Sequence, residues 1–169
     1  MGIFSGVTQA SQGANNSYWT PGIYKARVER VTFKEKSFKG TSYIIECEVL
    51  EVLQHYDAED RDGLKFASSR KVGERVTQVM KFDNDKAKQA ALGNINNFLT
   101  ACFQTMALSG GQSTEGIEVT EESVAESYAD DQPCAGLELN VHCQGIKTAA
   151  GKAFVVTSYG VLEELKKAA

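Results

Sequence analysis

The chain is poor in the residues that most often carry chemistry. Its 169 residues include two histidines, two prolines and one tryptophan. His55 and His142 stand far apart in sequence, and none of the four cysteines, Cys47, Cys102, Cys134 and Cys143, falls in a CxxC pair. The spacing of a structural zinc site is therefore missing. GxxxxGK[ST], GxSxG and HExxH are missing too, and with them the phosphate cradle, the nucleophile elbow and the zinc-protease helix. GGQSTEG is a loop of small residues with no lysine behind it. Asp57, Glu59, Asp60 and Asp62 crowd HYDAEDRDG, but without the spacing and terminal glutamate of a calcium loop they read as a solvated acidic loop. The expectation is a protein that is not an enzyme and has no catalytic residues, no cofactor and no metal.

Long apolar runs are also absent. No stretch approaches the roughly 18 residues of a membrane-spanning helix, so no membrane partner is expected. The first residues, MGIFSGVTQASQGANNS, lack the basic and apolar regions of a secretory signal. Gly6 stands where a myristoylation signal wants Ser or Thr. Cys47 and Cys143 fall in strand-like runs and Cys102 in a helical one, as small buried hydrophobes would in a reducing cytoplasm.

What is present is enough apolar material for one core, 42% of the chain, and two separated fields of charge on a total of −4. Residues 22–45 carry Lys25, Arg27, Arg30, Lys34, Lys36 and Lys39 against Glu29 and Glu35. Residues 112–138 carry Glu115, Glu118, Glu121, Glu122, Glu126, Asp130, Asp131 and Glu138 with no lysine or arginine. An acidic protein organised this way can still hold a polyanion locally, although ordinary solvated faces would give the same counts.

Periodicity sets the order of elements. Residues 1–17 are small and polar and read as a flexible arm, leaving 18–169 as one domain. Thr20-Pro21-Gly22 is a turn, and the tryptophan before it, Trp19, packs over one end of the core. In GIYKARVERVTF, Tyr24, Ala26 and Val28 alternate with charges, and then the phase slips to Val31 and Phe33, which predicts a bulge. SYIIECEVLEVL alternates again and pairs back as a hairpin. KVGERVTQVMKF gives a third strand. From Ala91 through Ile95, Phe98, Leu99, Cys102 and Met106 the period becomes helical, with Asp83 or Asn84 as cap and Gly110-Gly111 as stop. The acidic stretch 112–133 follows, with a short helix in TEESVAESY. GLELNVHCQGI and AFVVTSYGVL are the fourth and fifth strands, and ELKKAA is a charged tail. The expected fold is mainly β of α+β type. It is a five-stranded OB-like barrel with one main helix between strands three and four and an acidic insertion before strand four. An open five-stranded sheet is the competing architecture.

PGIYKARVERVTFKEKSFKGTSYIIECEVLE, VGERVTQVMKF with ALGNINNFLTACF, and DDQPCAGLELNVHCQGIKTAAGKAF together resemble a family of small bacteriophage OB-type single-stranded-DNA-binding proteins. The pattern spans roughly residues 18–160, and it rests on strand edges, turn glycines and a helix. One feature departs from it: many such proteins end in an acidic tail, and this chain ends Lys166-Lys167-Ala168-Ala169. The resemblance implies sequence-tolerant binding of single-stranded DNA in phage replication or recombination, in the cytoplasm of an infected bacterial host. It implies replication or recombination proteins, and further copies of the chain, as additional partners.

In an OB barrel, nucleic acid crosses strands two and three between the loops joining strands one to two and four to five. Here the first loop lies in TFKEKSFKGTSY and the second in IKTAAGKAF. The expected contacts are Lys25, Arg27, Lys34, Lys36, Lys39, Lys147 and Lys152 on phosphates and Phe38, Tyr43 and Phe154 on bases. Phe38 sits at the tip, whereas strand alternation makes Phe33 and Tyr43 half-buried. Trp19 and Tyr159 are secondary candidates. The alternative function is a phage structural or interaction component that uses the barrel as a scaffold. A hairpin tip whose aromatics simply turn inward is the plain structural alternative for the first loop.

Overall fold

The computed structural model describes residues 17–37 and 40–168. Two 16-residue strands, β1 (Gly22–Ser37) and β2 (Gly40–His55), form the central hairpin. Their alternation buries Tyr24, Ala26, Val28 and Val31 on one strand and Tyr43, Ile45, Cys47 and Val49 on the other. The predicted phase slip is real: pairing jumps from Val28↔Cys47 to Arg30↔Glu46, leaving Glu29 as the extra residue. That bulge lets Val31 and Phe33 take up the inward phase again.

β5 (Arg75–Lys81) pairs with β2, β6 (Glu138–Lys147) with β1, and β7 (Ala153–Gly160) with β6, every pair antiparallel. The five strands make one sheet in the order β5-β2-β1-β6-β7. The mainly β, α+β expectation holds, but the closed barrel does not, because β5 and β7 remain edges. The groups that closure would pair are partly bonded elsewhere. Thr77 N–H donates to Ser17 C=O at 2.8 Å on β5. On β7, Tyr159 N–H donates to Asn97 Oδ1 at 2.7 Å and Asn97 Nδ2 donates to Tyr159 C=O at 3.3 Å. A helix amide thus stands in for a neighbouring strand.

That helix, α1 (Asp85–Ser109), is capped by the Asn84 side chain and ends at Gly110. It lies between β5 and β6 in sequence and buries Ala91, Ile95, Phe98, Leu99 and Cys102 in the core. Phe98 meets Tyr159 edge-on at 5.0 Å.

The acidic stretch has a structural task. In α2 (Glu121–Ser127), Thr120 and Ser123 cap each other reciprocally, so serine serves where glutamate is more usual. Beyond Arg27, β1 no longer has β6 beside it. The Gln132 side-chain amide covers that edge, accepting from Val31 N–H at 2.8 Å and donating to Val31 C=O at 2.9 Å. Glu115, Glu118, Glu121, Glu122, Glu126, Asp130 and Asp131 stay exposed.

Two segments differ from expectation. The charged loop around 55–63 contains a small second sheet, β3 (Glu59–Arg61) with β4 (Leu64–Phe66). Its turn is Asp62-Gly63, both at positive φ of 53° and 74°, as a tight hairpin requires. This hairpin docks on β6. A Cβ at Gly145 would stand 2.6 Å from the Phe66 ring. Arg61 lies 4.9 Å over that ring and donates to Gly145 C=O at 2.7 Å. The charged tail is likewise a helix, α3 (Glu163–Ala168).

Candidate nucleic-acid interface

β5 and β7 run in the same direction at the two ends of the sheet. A channel of about 650 Å3 lies between them, within the size range of ligand sites. Residues 77–81 form one wall, and Ala153, Phe154, Val155 and Thr157 the other. Ala87, Ala90, Ala91 and Asn94 of α1 form the floor. The helical period brings these residues to one face of α1, three and four positions apart.

Two rings stand free at this channel. Tyr18 is 61% exposed and Phe154 is 55% exposed, and both line it. Phe154 is therefore placed as the sequence predicted, just past the β6–β7 turn. Lys147 and Lys152 flank that turn and are exposed. Across the sheet, Lys34 pairs with Ser42 and Ser42 with Lys81, so the two exposed lysines share one row. Exposed Lys65, on β4, also borders the channel. Among the described residues, none of Lys34, Lys65, Lys81, Lys147 and Lys152 takes part in an ion pair.

The other predicted contacts are placed differently. Lys25 reaches Glu138 and Glu164, each at 3.4 Å. The hydrogen bond to Glu138, and then that to Glu164, holds its ammonium pKa above the ordinary value. Arg27 is paired with Glu29 at 3.3 Å and with its cross-strand partner Glu48. Both are therefore paired with carboxylates of the protein itself. Tyr43 is fully buried, and its hydroxyl lies 2.8 Å from Ser127 Oγ. Burial pushes its pKa well up, and its ring cannot meet a base. Phe33 is half-buried and stacks on Tyr128 at 5.0 Å. The secondary candidates are core residues as well: Trp19 Nε1 donates to the Tyr159 hydroxyl at 3.3 Å, and that hydroxyl donates to Gln78 at 2.5 Å. Lys36 continues the backbone of β1, and Phe38 and Lys39 lie outside the described residues.

Tyr18, Lys65 and Lys81 were not singled out in the sequence. Lys81 ends a strand in the outward phase, which was readable, but its alignment with Lys34 depends on register. All four cysteines are buried and free. Burial raises the pKa of the Cys47, Cys102 and Cys143 thiols, that of Cys143 to about 12. Cys134 is shifted the other way by a hydrogen bond from Cys102.

Compared with protein-family models and with curated proteins, the sequence matches none.

Proposed function

We propose that this protein binds single-stranded DNA without sequence preference, serving phage replication or recombination in the cytoplasm of an infected bacterium. The observation that carries the reading is the division of the basic residues into two groups. Lys25 and Arg27 are tied to carboxylates, while Lys65 and Lys81, without an ion pair among the described residues, line one channel that carries two exposed rings; Lys34, in the same cross-strand row as Lys81, and Lys147 and Lys152, beside the turn that precedes Phe154, likewise have none there. Cations on both banks neutralise phosphates and release counterions. Phe154 and Tyr18 offer faces on which bases stack, and stacking is indifferent to sequence. The neighbour order β5-β2-β1-β6-β7 supports an OB-like ancestry. It is the order of an OB barrel left open between its third and fifth strands, here β5 and β7. Lys34 then stands near the first recognition loop, and Lys147, Lys152 and Phe154 near the second.

The test is a fluorescence titration of a labelled polythymidine strand with the purified protein at 50 and 200 mM salt. Tight binding at low salt that weakens by about tenfold or more at high salt is expected, since several counterions are released. Absence of binding at 50 mM, or affinity indifferent to salt, refutes the proposal.

A further inference from the structure

We infer that the channel between β5 and β7 also receives an extended acidic segment of a partner protein, added as a β-strand antiparallel to both edges. This goes beyond the DNA reading and does not depend on it. The backbone carries the argument. Phe82 N–H donates to Thr41 C=O, and the register of β5 with β2 is unbroken. Alternation then directs the N–H and C=O of Val79 and Lys81 away from β2 and into the channel. On β7, Thr148 N–H donates to Lys152 C=O, and the same alternation directs those of Ala153, Val155 and Thr157 into it. On β5 the backbone of Ser17 meets Val76 and Thr77 only; among the described residues no backbone group pairs with the outward groups of Val79, Lys81, Ala153, Val155 or Thr157. The two strands are not hydrogen-bonded to each other, and one inserted strand needs about 9.5 Å between its neighbours.

Both donors and acceptors wait on each wall, in alternation. A polypeptide strand satisfies both kinds. A phosphate backbone offers only acceptors and would leave the carbonyls unpaired. The two faces of the channel set the side chains of the occupant. Inward lie the alanines of α1, and outward stand Lys65 and Lys81, exposed and without an ion pair among the described residues. A strand alternating aliphatic with acidic residues puts each kind where it is wanted.

The probe is a fluorescein-labelled, end-blocked heptapeptide alternating aspartate and valine, titrated into the full chain without DNA. Saturable binding is expected, with protection of the Val79, Lys81 and Val155 amides from hydrogen exchange. A peptide of the same composition with its valines in one block should bind at least about tenfold more weakly, as should one N-methylated at alternate residues, which loses several hydrogen bonds. Val155→Pro removes an N–H that faces the channel and not β6, so the ladder survives; it should weaken the peptide about fivefold or more. Lys65→Glu with Lys81→Glu should abolish binding. Equal binding of the blocked or methylated peptide overturns the inference, and so does unchanged amide exchange. Absence of saturable binding overturns it too, whatever polythymidine does; protection of these amides by polythymidine alone would make the channel a nucleic-acid site only.

Discussion

Replacing Gly145 by alanine tests how the β3–β4 hairpin is held, and the sign of the effect should depend on the residue at position 66. A methyl at Gly145 would stand 2.6 Å from a Phe66 ring carbon. Carbon contacts are comfortable at about 3.5–4.0 Å, so the ring must retreat by about 1 Å. Arg61 limits that retreat, because its guanidinium covers the ring and bonds Gly145 C=O. Overpacking of this kind destabilises by about 1–3 kcal/mol. At roughly 2–4 °C per kcal/mol for a domain of this size, 2 kcal/mol lowers Tm by about 4–8 °C. In a Phe66→Ala background, itself destabilised by about 3 kcal/mol, the clash is gone. There Gly145→Ala should stabilise by about 0.5–1 kcal/mol, the ordinary gain from stiffening a strand glycine. Urea unfolding followed by Trp19, the one tryptophan and 5% exposed, measures all four proteins. An equal cost of Gly145→Ala in both backgrounds would refute the account, because the penalty would then not arise from Phe66.

The remaining predictions concern the interface and the core. Lys34→Ala with Lys81→Ala should weaken polythymidine binding and reduce the slope of log affinity against log salt by about 0.7 for each phosphate left without its lysine, whereas Lys25→Ala should leave that slope unchanged. Phe154→Ala should cost about 1–3 kcal/mol of binding, with the same salt slope and an unaltered Tm; a lower Tm with unchanged affinity would make the ring structural. Tyr43→Phe should lower stability by about 0.5–1.5 kcal/mol in urea, because the hydrogen bond to Ser127 is removed, without effect on DNA affinity. The Cys143 thiol ionises near 9 when unfolded and near 12 when folded. The folded state therefore holds its proton longer, and this contribution to stability is complete below pH 9 and fades as pH rises from about 9 to about 12. Urea midpoints at pH 8 and pH 10 should fall less in Cys143→Ser than in the parent protein.

Sequence alone revealed the elements whose signal is local. The slip from Val28 to Val31 marked the bulge at Glu29, and the change from period 2 to 3.6 marked α1. The β3–β4 hairpin had its dipeptide, Asp62-Gly63, in plain view, but EDR and LKF are too short and too charged to alternate. Barrel closure was not legible, since local periodicity does not show whether two distant edges meet; near the end of β7 the backbone of Tyr159 instead bonds a helix amide, Asn97, 62 residues away. Tyr43 is the sharper lesson. Alternation had already turned it inward, and the surrounding lysines outweighed that signal; the buried ring obeys the alternation. For the cations the difficulty is different. Counting charges over residues 22–45 measures how many are supplied, not how many remain free. Lys25 meets Glu164 from 139 residues away, and Arg27 meets Glu48 from 21. Lys81 joins Lys34 only because β5 pairs with β2 in one particular register. Sheet register therefore selects the free cations, and shifting β5 by one residue would turn Lys81 to the other face while leaving every charge count unchanged.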